Sequence, residues 1–313
     1  MLILLNRGLK GAGIHLPWLL LIGVAYSAAA QTPEPFQISV NVNLVLLNPV
    51  VRDRNGQFTS DLREPDFTVH EDGVRQSIKI FRHEDVPVTV GLVVDHSGSM
   101  KPKLRDVITA ARAFVQSSRP DDQMFVVNFN ENVTLSMPDA VQTGNLSDEL
   151  ARKIADRPAS GKTALYDAVL EAFGQLGTAG PEKKVLIVIS DGGDNASKQK
   201  LAEVLKTAGQ SSALVYTIGI FDEDDPDKNP AVLSRLARAT GGEAFFPREH
   251  GEVVAICEGI AREIRNQYTV GYVSSNAARP GAWRSIRLTA AAPGHGKLVV
   301  RTRTGYIAGG ASQ

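Results

Sequence analysis

The sequence predicts an α/β protein, a doubly wound and mostly parallel sheet with helices on both faces, accompanied by a smaller flanking β unit. Three observations point there. Between residues 87 and 267, apolar runs of strand length alternate with amphipathic helical series. Residues 31–86 show strand-like alternation punctuated by Asn-Gly and Asp-Gly turns. From 268 to 313 the pattern turns β-like again.

Taken in order, residues 1–30 read as a signal peptide outside that globule. Arg7 and Lys10 give a positive start, residues 16–26 (LPWLLLIGVAY) an apolar core, and Ala28, Ala29 and Ala30 a small-residue cleavage site. The apolar part is short for a bilayer span; an uncleaved anchor is the alternative. No cysteine lies nearby, which argues against a lipid-modified protein. Cleavage near Ala30 predicts a secreted or periplasmic chain of net charge −2 with no membrane insertion afterwards.

In the first β segment, Ile38, Val40, Val42 and Leu44 alternate with polar neighbours. Asn55-Gly56 and Asp72-Gly73 favour positive φ and predict tight turns of hairpins, the second between 67–69 and 78–80. The α/β region begins with 88–94 (VTVGLVV), a buried-type strand. A helical series follows at Leu104, Val107, Ile108, Ala111, Phe114 and Val115, then a strand at 124–127. A helix carrying Leu165, Ala168, Val169 and Ala172 precedes a strand at 185–189. Helices through Val204 and through Leu233, with strands at 214–220 and 244–246, continue the rhythm. A last helix carries Val253, Ile256, Cys257, Ile260 and Ile264, with the Cys257 thiol on its apolar stripe. Strand patterns return at 268–272, 286–288 and 298–300. Each β piece alone is short of residues for a core, so the two are expected to pack together, leaving the α/β region as an insertion.

Composition narrows the chemistry. The chain has 313 residues, 34 Lys and Arg against 34 Asp and Glu, 43% hydrophobic residues and a mean hydropathy of −0.09. These values exclude a polytopic membrane protein, a disordered chain and a collagen-like repeat. Zero formal charge gives no global electrostatic case for nucleic acid. One cysteine excludes a disulfide framework, a cysteine-ligated zinc cluster and an iron–sulfur centre.

The strongest local signal is Asp95-His96-Ser97-Gly98-Ser99, at the C-terminal end of the first α/β strand, where open α/β sheets place ligand sites. Asp191 holds the same position after strand 185–189, and Thr163 sits on a loop before a helix. Two carboxylates and three hydroxyls make an oxygen-only donor set, which suits a hard cation, Mg²⁺ best. The bland reading of each fragment is a helix cap or turn. His96 reads as a solvated loop residue with weak partner-contact potential, and Asp194 as a turn former that also stands near the metal loop. The acidic run at 222–227 reads as a solvated loop, without the spacing of a helix–loop–helix calcium site. Gly161-Lys162-Thr163 lacks the first glycine of a phosphate loop, since Asp156 stands there. Neither a nucleophile elbow nor a paired-histidine zinc motif occurs.

Asp95-x-Ser97-x-Ser99, Thr163 and Asp191 resemble the metal-ion-dependent adhesion site of the von Willebrand factor type A domain, over residues 87–267. With its flanks the chain is similar to secreted bacterial proteins carrying such a domain. The resemblance implies a Rossmann-like six-stranded sheet and a Mg²⁺ site, with Mn²⁺ or Ca²⁺ as other occupants. It also implies that Ser97, Ser99 and Thr163 are direct ligands and that Asp95 and Asp191 act largely through water. The function it implies is non-enzymatic: adhesion to a protein partner that presents an acidic residue. A structural role in the envelope and a metal-assisted hydrolase are the competing classes.

Overall fold

Backbone hydrogen bonding sorts the chain into β, then α/β, then β. The computed structural model describes residues 44–143, 147–178, 181, 183–221, 226–249, 251–276 and 281–309. The signal-peptide reading, the alternation at 38–42 and acidic residues 222–225 fall outside them. The first β segment contains β1 (Leu44–Leu47), β2 (Val50–Arg52), β3 (Phe67–Glu71), β4 (Val74–Gln76) and β5 (Ile78–Arg82). The middle runs β6 (Val88–Asp95), α1 (Leu104–Gln116), β7 (Gln123–Phe129), β8 (Val133–Gln142), α2 (Ser147–Ala155), α3 (Leu165–Thr178) and β9 (Lys183–Ser190). It continues with α4 (Leu201–Gln210), β10 (Leu214–Gly219), α5 (Pro230–Thr240), β11 (Ala244–Phe245) and α6 (Glu252–Arg265). The last segment holds β12 (Thr269–Val273), β13 (Trp283–Ala290), β14 (Val299–Arg301) and β15 (Gly305–Ile307).

The central sheet has six strands in the order β11-β10-β9-β6-β7-β8, parallel except for the β7–β8 pair. Every residue of β6 is buried, because helices cover both faces and leave no polar side to the strand. Successive side chains of β6 divide between two cores. Val90, Leu92 and Val94 pack with α1 and α6, whereas Val93 packs with α3 and α5. Each such side chain taken from water contributes about 1.5–3 kcal/mol. The chain leaves β6 toward β7 on one side and returns through β9 on the other. This reversal opens a crevice at the C-terminal ends of β6 and β9.

β8 and α2 have no counterpart among the strands and helices read from the residues. β8 opens with Val133, Thr134, Leu135 and Ser136, and α2 buries only Leu150, Ala151 and Ile154 among its described side chains. The β8 alternation ends at Met137, where Pro138 and Asp139 break it, and α2 offers only Leu150 and Ile154 as large apolar residues.

Outside the central sheet, strands from the two ends of the chain pair with each other. β12 lies between β1 and β5, β13 pairs β3, and β14 pairs β2, all antiparallel. Their shared core includes Val45, Leu47, Phe67, Val69, Tyr268, Val270, Ile286 and Leu288. Asp72 (φ 47°) and Gly73 (φ 82°) make the expected tight turn, both in the left-handed region. The hairpin differs in its second arm: β3 pairs with β4, three residues long, and the chain then crosses to pair β5 with β12. The α/β region thus leaves from β5 and returns into β12, and Thr269 of β12 faces Arg82 of β5. Among the described residues no helix is long and apolar enough to cross a membrane.

Candidate metal centre

Burial of β6 carries Asp95 to the sheet's C-terminal edge as a fully buried carboxylate. Its Oδ1 accepts from the Ser97 backbone N–H at 2.8 Å, which folds the chain back into a tight loop. Its Oδ2 accepts from the Ser190 hydroxyl at 2.6 Å, tying β6 to the adjacent β9. Ser97 Oγ and Ser99 Oγ stand 3.1 Å apart, and Ser99 Oγ donates to Asp191 Oδ2 at 2.5 Å. Asp191 Oδ1 accepts from the Gly193 N–H at 2.9 Å. Asp95, Ser97, Ser99 and Asp191 therefore form one hydrogen-bonded cluster.

Thr163 reaches the same edge through its backbone. Its N–H donates to Asn195 Oδ1 at 2.9 Å, and its carbonyl accepts from the N–H groups of Asn195 and Ala196, each at 3.0 Å. Two residues earlier, the Gly161 carbonyl accepts from Gly98 N–H at 3.1 Å. The Thr163 loop is thus sewn to both the serine loop and the Asp191 loop. Half-buried Ser99 with exposed Gly98 and Gly161 border the cluster on its solvent side. Gly192 is required here: it has φ +83°, and a Cβ would stand 2.5 Å from the Asn229 carbonyl oxygen.

Sequence reading missed Ser190 and Asn195 as supports of this cluster. Their polar, turn-type chemistry was visible, but their partners lie 95 and 32 residues away. Glu131 was also unforeseen. Its carboxylate accepts from Lys162 N–H at 3.0 Å and occupies the space a Cβ on Gly161 would take.

His96 corrects the expectation of a solvated, partner-facing residue. It is buried, with Nδ1 at 3.1 Å from the Arg157 carbonyl and Nε2 at 3.1 Å from Asn128 Oδ1. The cause is local: His96 N–H bonds to the Phe129 carbonyl at 2.6 Å, extending β6 by one residue and turning the ring inward. Burial lowers its pKa. Asp194 accepts from Ser197 Oγ at 2.6 Å and from Tyr166 N–H at 3.4 Å, holding a turn against the first residues of α3. Cys257 is buried in the core, and burial pushes its thiol up to about 12.

Charge accounting sets this cluster apart. Desolvation, reinforced by the nearby Asp191 charge and opposed by the serine hydrogen bonds, raises the Asp95 carboxyl to about 6. Five carboxylate residues are buried among the described residues. Glu71, Asp122 and Glu263 each have an arginine partner. Asp95 and Asp191 have none, only hydroxyls and backbone N–H groups. Two buried carboxylates so close together answer the repulsion by the raised Asp95 pKa and leave a negative site that a cation would balance. No cluster of three His, Cys, Asp or Glu placed to hold a metal occurs among the described residues, and a cation at this cluster would draw on the serine hydroxyls as well. That donor chemistry fits Mg²⁺ and not a soft metal.

Comparison with known proteins places the chain. The model of the von Willebrand factor type A domain matches residues 89–255, more than half of it. The inter-alpha-trypsin inhibitor heavy chain H2 of Mus musculus is 29% identical over 173 residues, 51% of this chain and 18% of that protein. Its counterpart from Mesocricetus auratus is 30% identical over the same span and shares. The chain therefore spans less than a fifth of these relatives. A von Willebrand factor type A protein from Catenulispora acidiphila has the same fold, with a TM-score of 0.51 at 14% identity, covering 87% of this chain and 75% of that one. The chain belongs to the von Willebrand factor type A family, whose domains commonly mediate protein–protein interaction or adhesion and often bind a divalent metal.

Proposed function

We propose that this family member is an exported, metal-dependent protein-binding module, gripping an acidic residue of its partner through a bound Mg²⁺. Ser97, Ser99 and Thr163 would hold the ion, with Asp95 and Asp191 behind them. The observation that carries the reading is the pair of buried carboxylates that accept from hydroxyls and backbone N–H groups and from no cationic side chain among the described residues. When bound, the ion supplies positive charge only partly cancelled by neutral hydroxyls, so a partner carboxylate completes the balance in a poorly hydrated site. Recognition of this kind breaks no bond and asks for no general base. Residues 1–30, with their positive start, apolar core and Ala28-Ala29-Ala30, support export to the periplasm or beyond.

The chain's own residues serve this task by orientation. Ser190 fixes Asp95, Ser99 fixes Asp191, and Asn195 holds the Thr163 backbone between two loops. The test is capture of a protein partner by the purified chain in Mg²⁺. Expected is binding that EDTA releases and that Thr163→Ala and Asp191→Ala each abolish while the melting temperature of the metal-free chain changes little. Binding that persists in EDTA would overturn the proposal.

A further inference from the structure

At the other end of the central sheet, by the N-terminal ends of β6 and β9, lies a cavity of about 300 Å³. An eight-residue strand separates this end from Asp95, about 25 Å at 3.3 Å per residue. The cavity is walled by Leu46, Val86, Pro87 and Pro181, with Arg82 and Lys183 as the cationic lining residues and Glu84 as the acidic one. It sits where β1, β5 and β12 meet the α/β region, the kind of junction that ligand pockets favour.

Lys183 is the unusual member. It is buried at the start of β9, and its Nζ has carbonyl acceptors only at 3.4 Å, from Glu84 and Gln267. Both lie at the far limit of hydrogen bonding, for an ammonium that carries three donors. Burial, then the positive charge of Arg265, push its pKa down to about 8, against weaker support from Asp85 and Glu84. Asp85 is engaged elsewhere, by Arg119 and Arg265. Neighbouring His83 supplies no anion, and its own pKa is lowered by burial and by Lys183.

We propose that this cavity is a second ligand site, which takes a small aliphatic carboxylate with its chain against Leu46, Val86, Pro87 and Pro181 and its carboxylate on Lys183 Nζ. The volume suits a small ligand, and the wall is apolar apart from a few converging polar groups. A monoanion matches one ammonium, whereas a doubly charged phosphate would bring a surplus negative charge beside Glu84. The site is independent of the metal centre and stands or falls without it.

Octanoate is the probe, with octanol as its neutral control, titrated into the full chain and followed by amide NMR. Expected is saturable octanoate binding with shifts centred on Leu46, Lys183 and Thr269, at least tenfold tighter than octanol. Lys183→Met should weaken octanoate binding at least tenfold and leave octanol unchanged. Pro181→Trp, which keeps the lysine and fills the wall, should weaken both, and it carries the test if Lys183→Met does not fold. Absence of saturable octanoate binding to the wild-type chain, or equal binding of octanol, would overturn the proposal.

Discussion

Glu71 and Asp95 are both fully buried at the ends of strands, yet their surroundings differ in kind. Glu71 receives Arg284 at 2.8 Å, the hydroxyls of Tyr272 at 2.7 Å and Tyr306 at 3.0 Å, and Ser274 Oγ at 2.6 Å. Among the described residues Asp95 is held by serines alone, through the Ser190 hydroxyl and through Ser97, and the next carboxylate adds repulsion. Where a buried carboxylate is structural, this chain supplies its own arginine. Glu263 repeats the lesson, with Arg52 at 2.9 Å, Arg301, and the Tyr216 hydroxyl at 2.6 Å. At the sheet's C-terminal edge the described residues supply hydroxyls and backbone N–H groups in place of an arginine, and the proposed function rests on that missing charge.

The comparison breaks most visibly at Arg284. Arg284→Met strands Glu71 without a cation and should cost about 3–5 kcal/mol in chemical denaturation, with no recovery on adding Mg²⁺. If Mg²⁺ did restore stability, the two clusters would not differ in kind.

Asp95 should make stability depend on pH. Its folded pKa lies near 6 against 3.8 for the ordinary group, so the folded chain holds the proton more tightly than the unfolded one. In metal-free protein this contribution to stability is complete below pH 3.8 and is lost as pH rises through about 6. About two pKa units correspond to roughly 3 kcal/mol. Asp95→Asn should flatten that part of the stability profile measured by urea unfolding.

A smaller effect follows from the ion itself. Mg²⁺ at a hundredfold excess over its dissociation constant should add about 2.7 kcal/mol to wild-type stability, more above pH 6 than below it. Thr163→Ala should remove most of this gain when both proteins are measured by urea unfolding with and without Mg²⁺. The smallest expected change is at Asn195. Asn195→Ala loses one hydrogen bond to Thr163 N–H, about 0.5–1.5 kcal/mol in stability, and should weaken Mg²⁺ binding further through loss of loop order.

How much of this was legible before folding depends on how local each feature is. β6, β9, β10 and α6 were legible because burial on both faces makes a strand uniformly apolar and burial on one face gives a helix its stripe. The Asp72-Gly73 turn was legible because its φ angles depend on two residues alone. β8 was not, although Val133, Leu135 and Met137 alternate with polar residues, because Pro138 and Asp139 interrupt the pattern, whereas α2 and β15 hold too few apolar positions to set a period. The crossing of β5 to another sheet was hidden for a different reason. Its partner β12 lies nearly 190 residues onward, and no local pattern encodes that choice. Within the candidate site, residue type and spacing picked out Asp95, Ser97, Ser99, Thr163 and Asp191. The supporting hydroxyl of Ser190 and the inward turn of His96 depend on neighbours in β6, β7 and β9, which only the folded sheet assembles.

Calorimetric titration of Mg²⁺ into the metal-free full chain tests the central claim most directly. The account predicts one ion per chain, with protons released on binding near pH 6 as Asp95 gives up its proton, and no binding to Asp95→Asn/Asp191→Asn. An unaltered Mg²⁺ affinity in that double variant would contradict it.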